Sequence, residues 1–327
     1  MKLLVTGGLG FIGSNFILHI LKNTNFEILN VDAEFYGSNH YNLNEIENSE
    51  KYSFVKGNIN DKKLMKKLIF DCDCVVNFAA ESHVDRSILD PIPFMESNIS
   101  GTFTILDIIK NQKKRLVHVS TDEVFGTILT GSATEKTRFN PSSPYAATKA
   151  AAELLINSYF ITYDADVVIT RCTNNYGPRQ FTEKLIPKII GLSNQNKKIP
   201  IYGDGKSVRD WIYVDDHCEA IKLVLENGEK GKSYNISASN ELDNLTIVKK
   251  ILKILNKSEE NIQFVESRPG EDVRYSLDST KISTELNWKP KITFEEGIQK
   301  TIQWYASNTE WWKTNSLEEI SNTPWKK

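Results

Sequence analysis

Tyr145 and Lys149 stand four residues apart, with Thr121-Asp122-Glu123 upstream of them. On a helix, side chains at i and i+4 share one face, so a phenol and an ammonium come together. The cation can favour the phenolate, which can take the proton of a hydroxyl being oxidised beside a nicotinamide. Oxidation alone has no use for two further carboxyls. Asp122 and Glu123 add a second proton transfer, and the combination points to loss of water through a transient ketone. Adjacent carboxylates usually mark a solvated turn, and Tyr-x-x-x-Lys is common by chance on amphipathic helices. Their conjunction at the end of one apolar run carries the reading.

The nicotinamide is expected from the other end of the chain. Gly7-Gly8-Leu9-Gly10-Phe11-Ile12-Gly13 follows an apolar run and opens a helical pattern. Glycines 7, 10 and 13 serve a tight turn, close approach to a pyrophosphate and helix–sheet packing. Asp32 ends the next apolar run, where its carboxylate can accept from ribose hydroxyls and repel a 2′-phosphate. NAD is therefore expected over NADP. Gly57-Asn58-Ile59 is placed to meet an adenine edge, and the small residues Ala79 and Ala80 let backbone approach a cofactor. His83, an isolated histidine, is read as structural.

The elements that must position these residues alternate. Strands are predicted at Lys2–Thr6, Glu27–Val31, Tyr52–Val55, Cys74–Phe78, Leu116–Ser120 and Val167–Arg171, and a first helix at Phe11–Leu21. Apolar strands between amphipathic helices give an α/β fold: a Rossmann-type, doubly wound parallel sheet covered on both faces. From about Asn174, glycine, proline and asparagine punctuate shorter elements. The division expected is a dinucleotide-binding domain over 1–173, a smaller interleaved substrate lobe over 174–315, and a loose polar tail over 316–327. The apolar stretch Ala146–Leu155 suits a buried core face or a subunit contact.

Bulk properties narrow the function further. Charged residues make up 25% and hydrophobic ones 40% of 327 residues, with a formal net charge of −2 and no basic run suited to nucleic acid. An anionic substrate must meet local cations instead. Cys72, Cys74, Cys172 and Cys218 are too few for a disulfide scaffold and awkwardly spaced for a metal clip, so reduced thiols, no metal and a cytoplasmic location are expected. The start leaves no room for a signal peptide, and no apolar stretch is long enough to span a membrane.

With these residues in view, the chain resembles the extended short-chain dehydrogenase/reductases, and within them the dTDP-glucose 4,6-dehydratases. The matching segments are Gly7–Gly13, Asp32, Phe78–Ser87, Thr121–Gly126, Ser143-Pro144-Tyr145-x-x-x-Lys149, Asn174–Pro178, Glu183–Pro187, Tyr202–Trp211 and Arg268-Pro269-Gly270. They span residue 1 to roughly 305. The glycines and Tyr-x-x-x-Lys identify the superfamily; Thr121-Asp122-Glu123, the Ala-Glu-Ser-His block and Glu183-Lys184-Leu185 point to the dehydratases.

The resemblance implies a role for each position. Tyr145 takes the C4 hydroxyl proton while hydride passes to NAD, Lys149 supports the phenolate and nicotinamide ribose, and Thr121 bonds near that hydroxyl. Glu123 removes the C5 proton, and protonated Asp122 releases the C6 hydroxyl as water. The hydride then returns to C6, and C5 is reprotonated. Cofactor contacts are implied at Gly7, Gly10, Phe11, Ile12, Gly13, Asp32, Asn58, Ile59, Ala79, Ala80, Ser82, Asn98, Ser120, Tyr145, Lys149 and Asn175. Substrate contacts are implied at Ser82, Thr121, Asn174, Lys184, Leu185, Pro200, Ile201, Tyr202, Arg209, Asn244, Arg268 and Asp272, with Arg274 as an alternative second cation. A homodimer built on helices beside Tyr145 is implied as well.

Three positions depart from the pattern. Asn58 replaces an aspartate, Phe125 a tyrosine, and Glu271 a frequent histidine. A carboxylate at 271 must turn away from a diphosphate or pair with a cation, and it bears on the choice between thymidine and uridine. The rival enzyme, a UDP-sugar 4-epimerase, would share the glycine turn, Tyr145 and Lys149 but needs no Asp122-Glu123 pair. A UDP-uronate decarboxylase would want an arginine clamp that is not identifiable. A non-enzymatic nucleotide sensor would be free to lose the four chemical residues, and none is lost.

Overall fold

The computed structural model describes residues 1–314 and 324–326. Seven strands form one parallel sheet: β1 (Lys2–Thr6), β2 (Glu27–Asp32), β3 (Tyr52–Lys56), β4 (Cys74–Asn77), β5 (Arg115–Thr121), β6 (Val167–Cys172) and, far along the chain, β10 (Ser233–Ile236). Their order is β10-β6-β5-β4-β1-β2-β3, with the direction reversal between β1 and β4 that opens a crevice at the carboxyl edge. The six predicted strands are present with edges moved by a residue. β10 was not foreseen. It is four residues long and completes the sheet only by pairing with β6, Ser233 opposite Ile169 through Ile236 opposite Cys172.

Both faces of the sheet are covered. On one side α1 (Phe11–Asn23) packs with α8 (Val214–Asn227), around Phe16, Ile17, Ile20, Ile221 and Val224. On the other, α2 (Lys62–Phe70), α5 (Thr102–Ile109) and α6 (Pro144–Tyr163) bury Met65, Ile69, Ile105, Leu106 and Ile156 against Leu4, Val75 and Leu116. The short α3 (Val84–Leu89) and α4 (Ile92–Phe94) lie between β4 and α5. The near-continuous apolar runs of β1, β4 and β6 follow from this two-sided burial.

Five further strands and two helices pack around a separate hydrophobic core. β7 (Asn174–Tyr176), β9 (Val208–Tyr213) and β11 (Glu241–Asp243) make one sheet, and β8 (Ile199–Tyr202) pairs with β12 (Ile262–Val265) in another. Helices α7 (Leu185–Asn194) and α9 (Asn244–Ile254) cover them, around Ile186, Ile189, Ile201, Trp211 and Ile251. Of the tail expected over 316–327, all but 324–326 lies outside the described residues. There the expectation of looseness is corrected: Trp325 is buried edge-on against Tyr202, ring centroids 4.9 Å apart, because its indole finds an aromatic partner on β8. No helix among the described residues is long and apolar enough to cross a membrane.

Candidate active site

A cavity of about 300 Å³ runs along the sheet's carboxyl edge, from Gly7–Gly13 and Asp32 at one end to Thr121, Asp122, Glu123, Tyr145 and Lys149 at the other. Each end has a local cause. Gly7 adopts φ +70°, and a Cβ there would meet the Ala79 nitrogen at 2.6 Å; a Cβ on Gly13 would meet the Gly7 carbonyl at 2.4 Å. Only glycine permits the turn and lets α1 sit this close. Gly10 caps α1 without a side chain, so the helix N-terminus faces the cavity uncovered. Asp32, buried at the end of β2, accepts from Leu9 N (3.0 Å), Glu34 N (2.8 Å) and Ser38 Oγ (2.8 Å). A carboxylate has about four acceptor positions, so one remains.

Helix α6 presents Tyr145 and Lys149. Ser143 caps it by accepting from Ala146 N at 3.2 Å, and Pro144 begins it. The Tyr145 backbone N–H donates to Ser87 Oγ at 3.1 Å, and its ring meets Phe94 edge-on. The phenol and the ammonium share a face as predicted, but the electrostatics differ. Lys149 Nζ donates to the Val119 carbonyl at 2.7 Å and lies 3.5 Å from His118 Nε2, so the ammonium is drawn to β5. Burial, and after it the Glu123 charge, holds the phenol well above its ordinary range. Burial pushes Lys149 down to about 8, with Glu153 opposing. The expected lowering of the phenol by Lys149 is thus absent from this geometry, because a strand carbonyl has captured the cation.

The two carboxyls come from the turn that ends β5. Thr121 Oγ1 donates to Asp122 Oδ1 at 3.2 Å and accepts from Glu123 N at 3.3 Å. Asp122 Oδ2, Glu123 Oε2 and Ser120 Oγ are all buried without a partner along this one cavity. Orphaned buried polar atoms are costly, and their grouping marks a polar ligand's place. Burial raises both carboxyls. Asp122 lies well above the usual range, helped by the Glu123 charge; Glu123 is lifted less, because Arg268, Lys184 and Arg209 pull it back. A protonated Asp122 beside a more acidic Glu123 divides acid from base.

Most implied contacts do reach the cavity. Phe11, Ile12, Asn58, Ile59, Ala79, Ala80, Ser82, Ser120, Asn174, Asn175 and Lys184 line it. Lys184 Nζ donates to Ser82 O at 3.1 Å. Asn58 spends its Oδ1 on Asn60 N, and Asn175 spends its amide on Thr173 O and His217. Asn98 does not line the cavity: its amide joins both backbone groups of Glu81 to Thr148. Pro200, Ile201 and Tyr202 sit on β8, Leu185 opens α7 and Asn244 opens α9, all outside the cavity wall.

Three charged residues are already committed. Asp272 accepts from Thr127, Ser142 and Tyr275 hydroxyls, which fill most of its acceptor positions. Arg274 forks onto Glu241 at 2.6 Å twice and holds the Ile128 and Gly131 carbonyls, so it is no second cation for a ligand. Arg209 donates to the Val208 and Asp272 carbonyls, with its guanidinium 4.3 Å from the Tyr275 ring centroid. Glu271 accepts from Ser207 Oγ at 3.1 Å, a neutral partner and not a cation.

Sequence reasoning missed a group at the cavity mouth. Tyr36, in the loop after β2, donates to Glu183 at 2.5 Å, packs edge-on against Phe181 and lies under the Arg86 guanidinium. His83 is buried 3.1 Å from the same carboxylate and held neutral by desolvation. Glu183 stands inside a matching segment; Tyr36 had only the aromatic character of its loop as a signal.

The protein-family model for GDP-mannose 4,6 dehydratase matches residues 4–301. The chain belongs to this dehydratase family. It is 45% identical to the low-salt glycan biosynthesis protein Agl12 of Haloferax volcanii, over 95% of this chain and all of that one. It is 42% identical to dTDP-glucose 4,6-dehydratase of Escherichia coli, over 96% of each. Among solved structures, DesIV, the dTDP-glucose 4,6-dehydratase of Streptomyces venezuelae with NAD and TYD bound, superposes with a TM-score of 0.95 at 42% identity, covering 97% of this chain and 100% of that one. UDP-glucuronic acid 4-epimerase of Bacillus cereus is more distant, at 30% identity, TM-score 0.89, and 94% and 99% coverage.

Proposed function

We propose that this enzyme is an NAD-dependent hydro-lyase that converts dTDP-glucose to dTDP-4-keto-6-deoxyglucose. The observation that carries the reading is the pair of buried carboxyl oxygens, Asp122 Oδ2 and Glu123 Oε2, left without partners in the cavity that Tyr145 also lines. An epimerase has no work for them. The glycine cradle, the bare N-terminus of α1 and the remaining acceptor position on Asp32 fit a dinucleotide with free ribose hydroxyls. When bound, NAD supplies the hydride acceptor and later the donor.

The chain's own residues move the protons. Tyr145 takes the C4 hydroxyl proton, with Thr121 orienting that hydroxyl. Because burial keeps the resting phenol neutral, Lys149 must contribute its charge in the reacting complex. Glu123 removes the C5 proton, acidified by the new ketone. Asp122, protonated in its buried seat, donates to the departing C6 hydroxyl. Lys184 and Arg268 lend positive charge to Glu123 and suit a diphosphate, while Arg209 adds its charge from its seat on the Val208 and Asp272 carbonyls. Ser207 holds Glu271, so the position leaves thymidine acceptable.

Incubation with dTDP-glucose, UDP-glucose and GDP-glucose tests the reading. Loss of one water from the dTDP sugar supports it; epimers of unchanged mass, or no turnover, refute it. We further propose a homodimer formed by α5 and α6, whose outer surfaces leave Phe103, Leu154 and Ile161 exposed, the last at 72%. Leu154→Lys should yield monomer by light scattering; an unchanged mass would exclude this face. The four free cysteines suit a reducing cytoplasm.

A further inference from the structure

Two of the residues implied in substrate binding hang on one carboxylate that has no assigned role. Asp85 lies in the first turn of α3, is 9% exposed, and belongs to the segment between β4 and α5. Its Oδ1 accepts from Arg268 Nη1 at 3.0 Å, and its Oδ2 accepts from Tyr202 Oη at 3.0 Å. Arg268 comes from the loop after β12 and Tyr202 from β8, so one side chain ties both parts of the small lobe to the sheet. The same loop is fixed again two residues on. Gly270 has φ +67°, and a Cβ there would lie 2.7 Å from the Ser142 carbonyl, just ahead of α6.

The pairing uses only one nitrogen of the guanidinium. Arg268 Nε is buried without a partner, and among the described residues Nη2 has no acceptor. The Nε–Nη2 edge is the fork that grips two oxygens of a phosphate. Asp85 therefore fixes the plane of Arg268 while leaving that fork open. The surrounding charges show why a carboxylate is needed. Lys184, at the N-terminal cap of α7, and Lys188, one turn on, both feel Asp85; Arg268 also acts on Glu123. Without Asp85, Arg268 would be a buried cation among cations, and the nearby Glu123 carboxylate would compete for it.

We propose that Asp85 is a positioning residue for the nucleotide-sugar diphosphate: it aims the unpaired fork of Arg268 at the diphosphate and holds Tyr202 in register beside it. This rests on the dehydratase reading. No electron or proton changes hands at Asp85; its effect belongs to binding.

The test uses the full chain with its NAD. Dissociation constants for dTDP, UDP and GDP, and kcat and KM for the preferred sugar nucleotide, are compared for wild type, Asp85→Asn, Asp85→Glu, Arg268→Lys and the double variant Asp85→Asn/Arg268→Lys. Asp85→Asn should weaken nucleotide binding and raise KM about tenfold, with a much smaller change in kcat and in NAD content, and Asp85→Glu should recover most of the loss. Arg268→Lys should cost about as much alone, yet add less than about twofold on Asp85→Asn, because the fork is already misaimed. Unchanged binding in Asp85→Asn, or losses that multiply in the double variant, would overturn the role while leaving the dehydratase reading intact. A wild type that binds none of the three nucleotides would overturn both. Should Asp85→Asn fail to fold, Arg268→Lys on intact Asp85 decides: unchanged nucleotide binding there refutes an open fork aimed at the diphosphate.

Discussion

The Lys149 ammonium donates to the Val119 carbonyl of β5 at 2.7 Å, not to the Tyr145 phenol it was expected to serve. Burial lowers the lysine from 10.5 to about 8, so its charge disappears as pH rises through that value. If the phenol needs this cation, turnover should fall above about pH 8. Folding stability should move the other way. Between about 8 and 10.5 the unfolded chain binds the extra proton, so stability rises with pH across that window. Lys149→Met should flatten both profiles and slow turnover by roughly 100-fold or more. Rate and urea-melting profiles from pH 6 to 10 check it; an alkaline decline that persists in Lys149→Met would assign it elsewhere.

Asp122 gives a stability prediction of opposite sign from the same cause, burial. Its folded-state value lies well above 3.8 because burial and Glu123 disfavour the charged form. A raised value contributes stability that is complete below the unfolded value and lost as pH rises through the folded one. At neutral pH and above, Asp122 therefore costs stability. Asp122→Asn should raise the melting temperature by a few degrees at pH 8, by about 1.4 kcal/mol for each pH unit separating the two values, and give no gain near pH 3. Turnover should fall at the same time. A variant less stable than wild type at pH 8 would contradict the burial of a strained acid.

How far the sequence could reach is instructive in particular residues. The glycine turn, Asp32 and the Thr121–Glu123 triplet were legible because each is a local pattern, set by strand, turn and helix within a few residues. β10 was not, since four residues, though alternating, are too short a pattern to stand out and become a strand only when β6 supplies partners from Ile169 to Cys172. Asn98, Asp272 and Arg274 have the right chemistry for ligand contacts, yet their polar atoms are consumed by Glu81, Thr127 and Glu241, each distant in sequence. Asp85 is the converse: an ordinary helix acid whose partners lie 117 and 183 residues away.

Tyr145→Phe isolates the first proton transfer. The ring keeps its edge-on contact with Phe94, and the backbone bond to Ser87 is untouched, so folding should be within about 1 kcal/mol of wild type. Only the hydroxyl proposed to take the C4 proton is lost. Formation of reduced nicotinamide in a single turnover should slow by about 100- to 10,000-fold, while nucleotide-sugar binding changes little. Stopped-flow absorbance on mixing with dTDP-glucose reads this step directly, and a wild-type rate would remove Tyr145 from the chemistry.

Glu123→Gln separates oxidation from elimination. Its Oε2 is buried and unpartnered, and Arg268, Lys184 and Arg209 pull its acidity back toward the ordinary range despite burial. Its carboxyl is lifted less than that of Asp122, which suits it to accept the C5 proton. The glutamine has nearly the same volume and cannot accept that proton. Oxidation at C4, which depends on Tyr145, should still proceed, so the reduced cofactor should build up instead of returning its hydride. Net dehydration should fall by about 100-fold or more, and solvent deuterium should no longer enter C5. The same cation cluster would be left less neutralised, so nucleotide binding should tighten slightly. If Glu123→Gln dehydrates normally, or stalls with the cofactor oxidised, the base lies elsewhere, and the division of labour between the two neighbouring carboxyls fails with it.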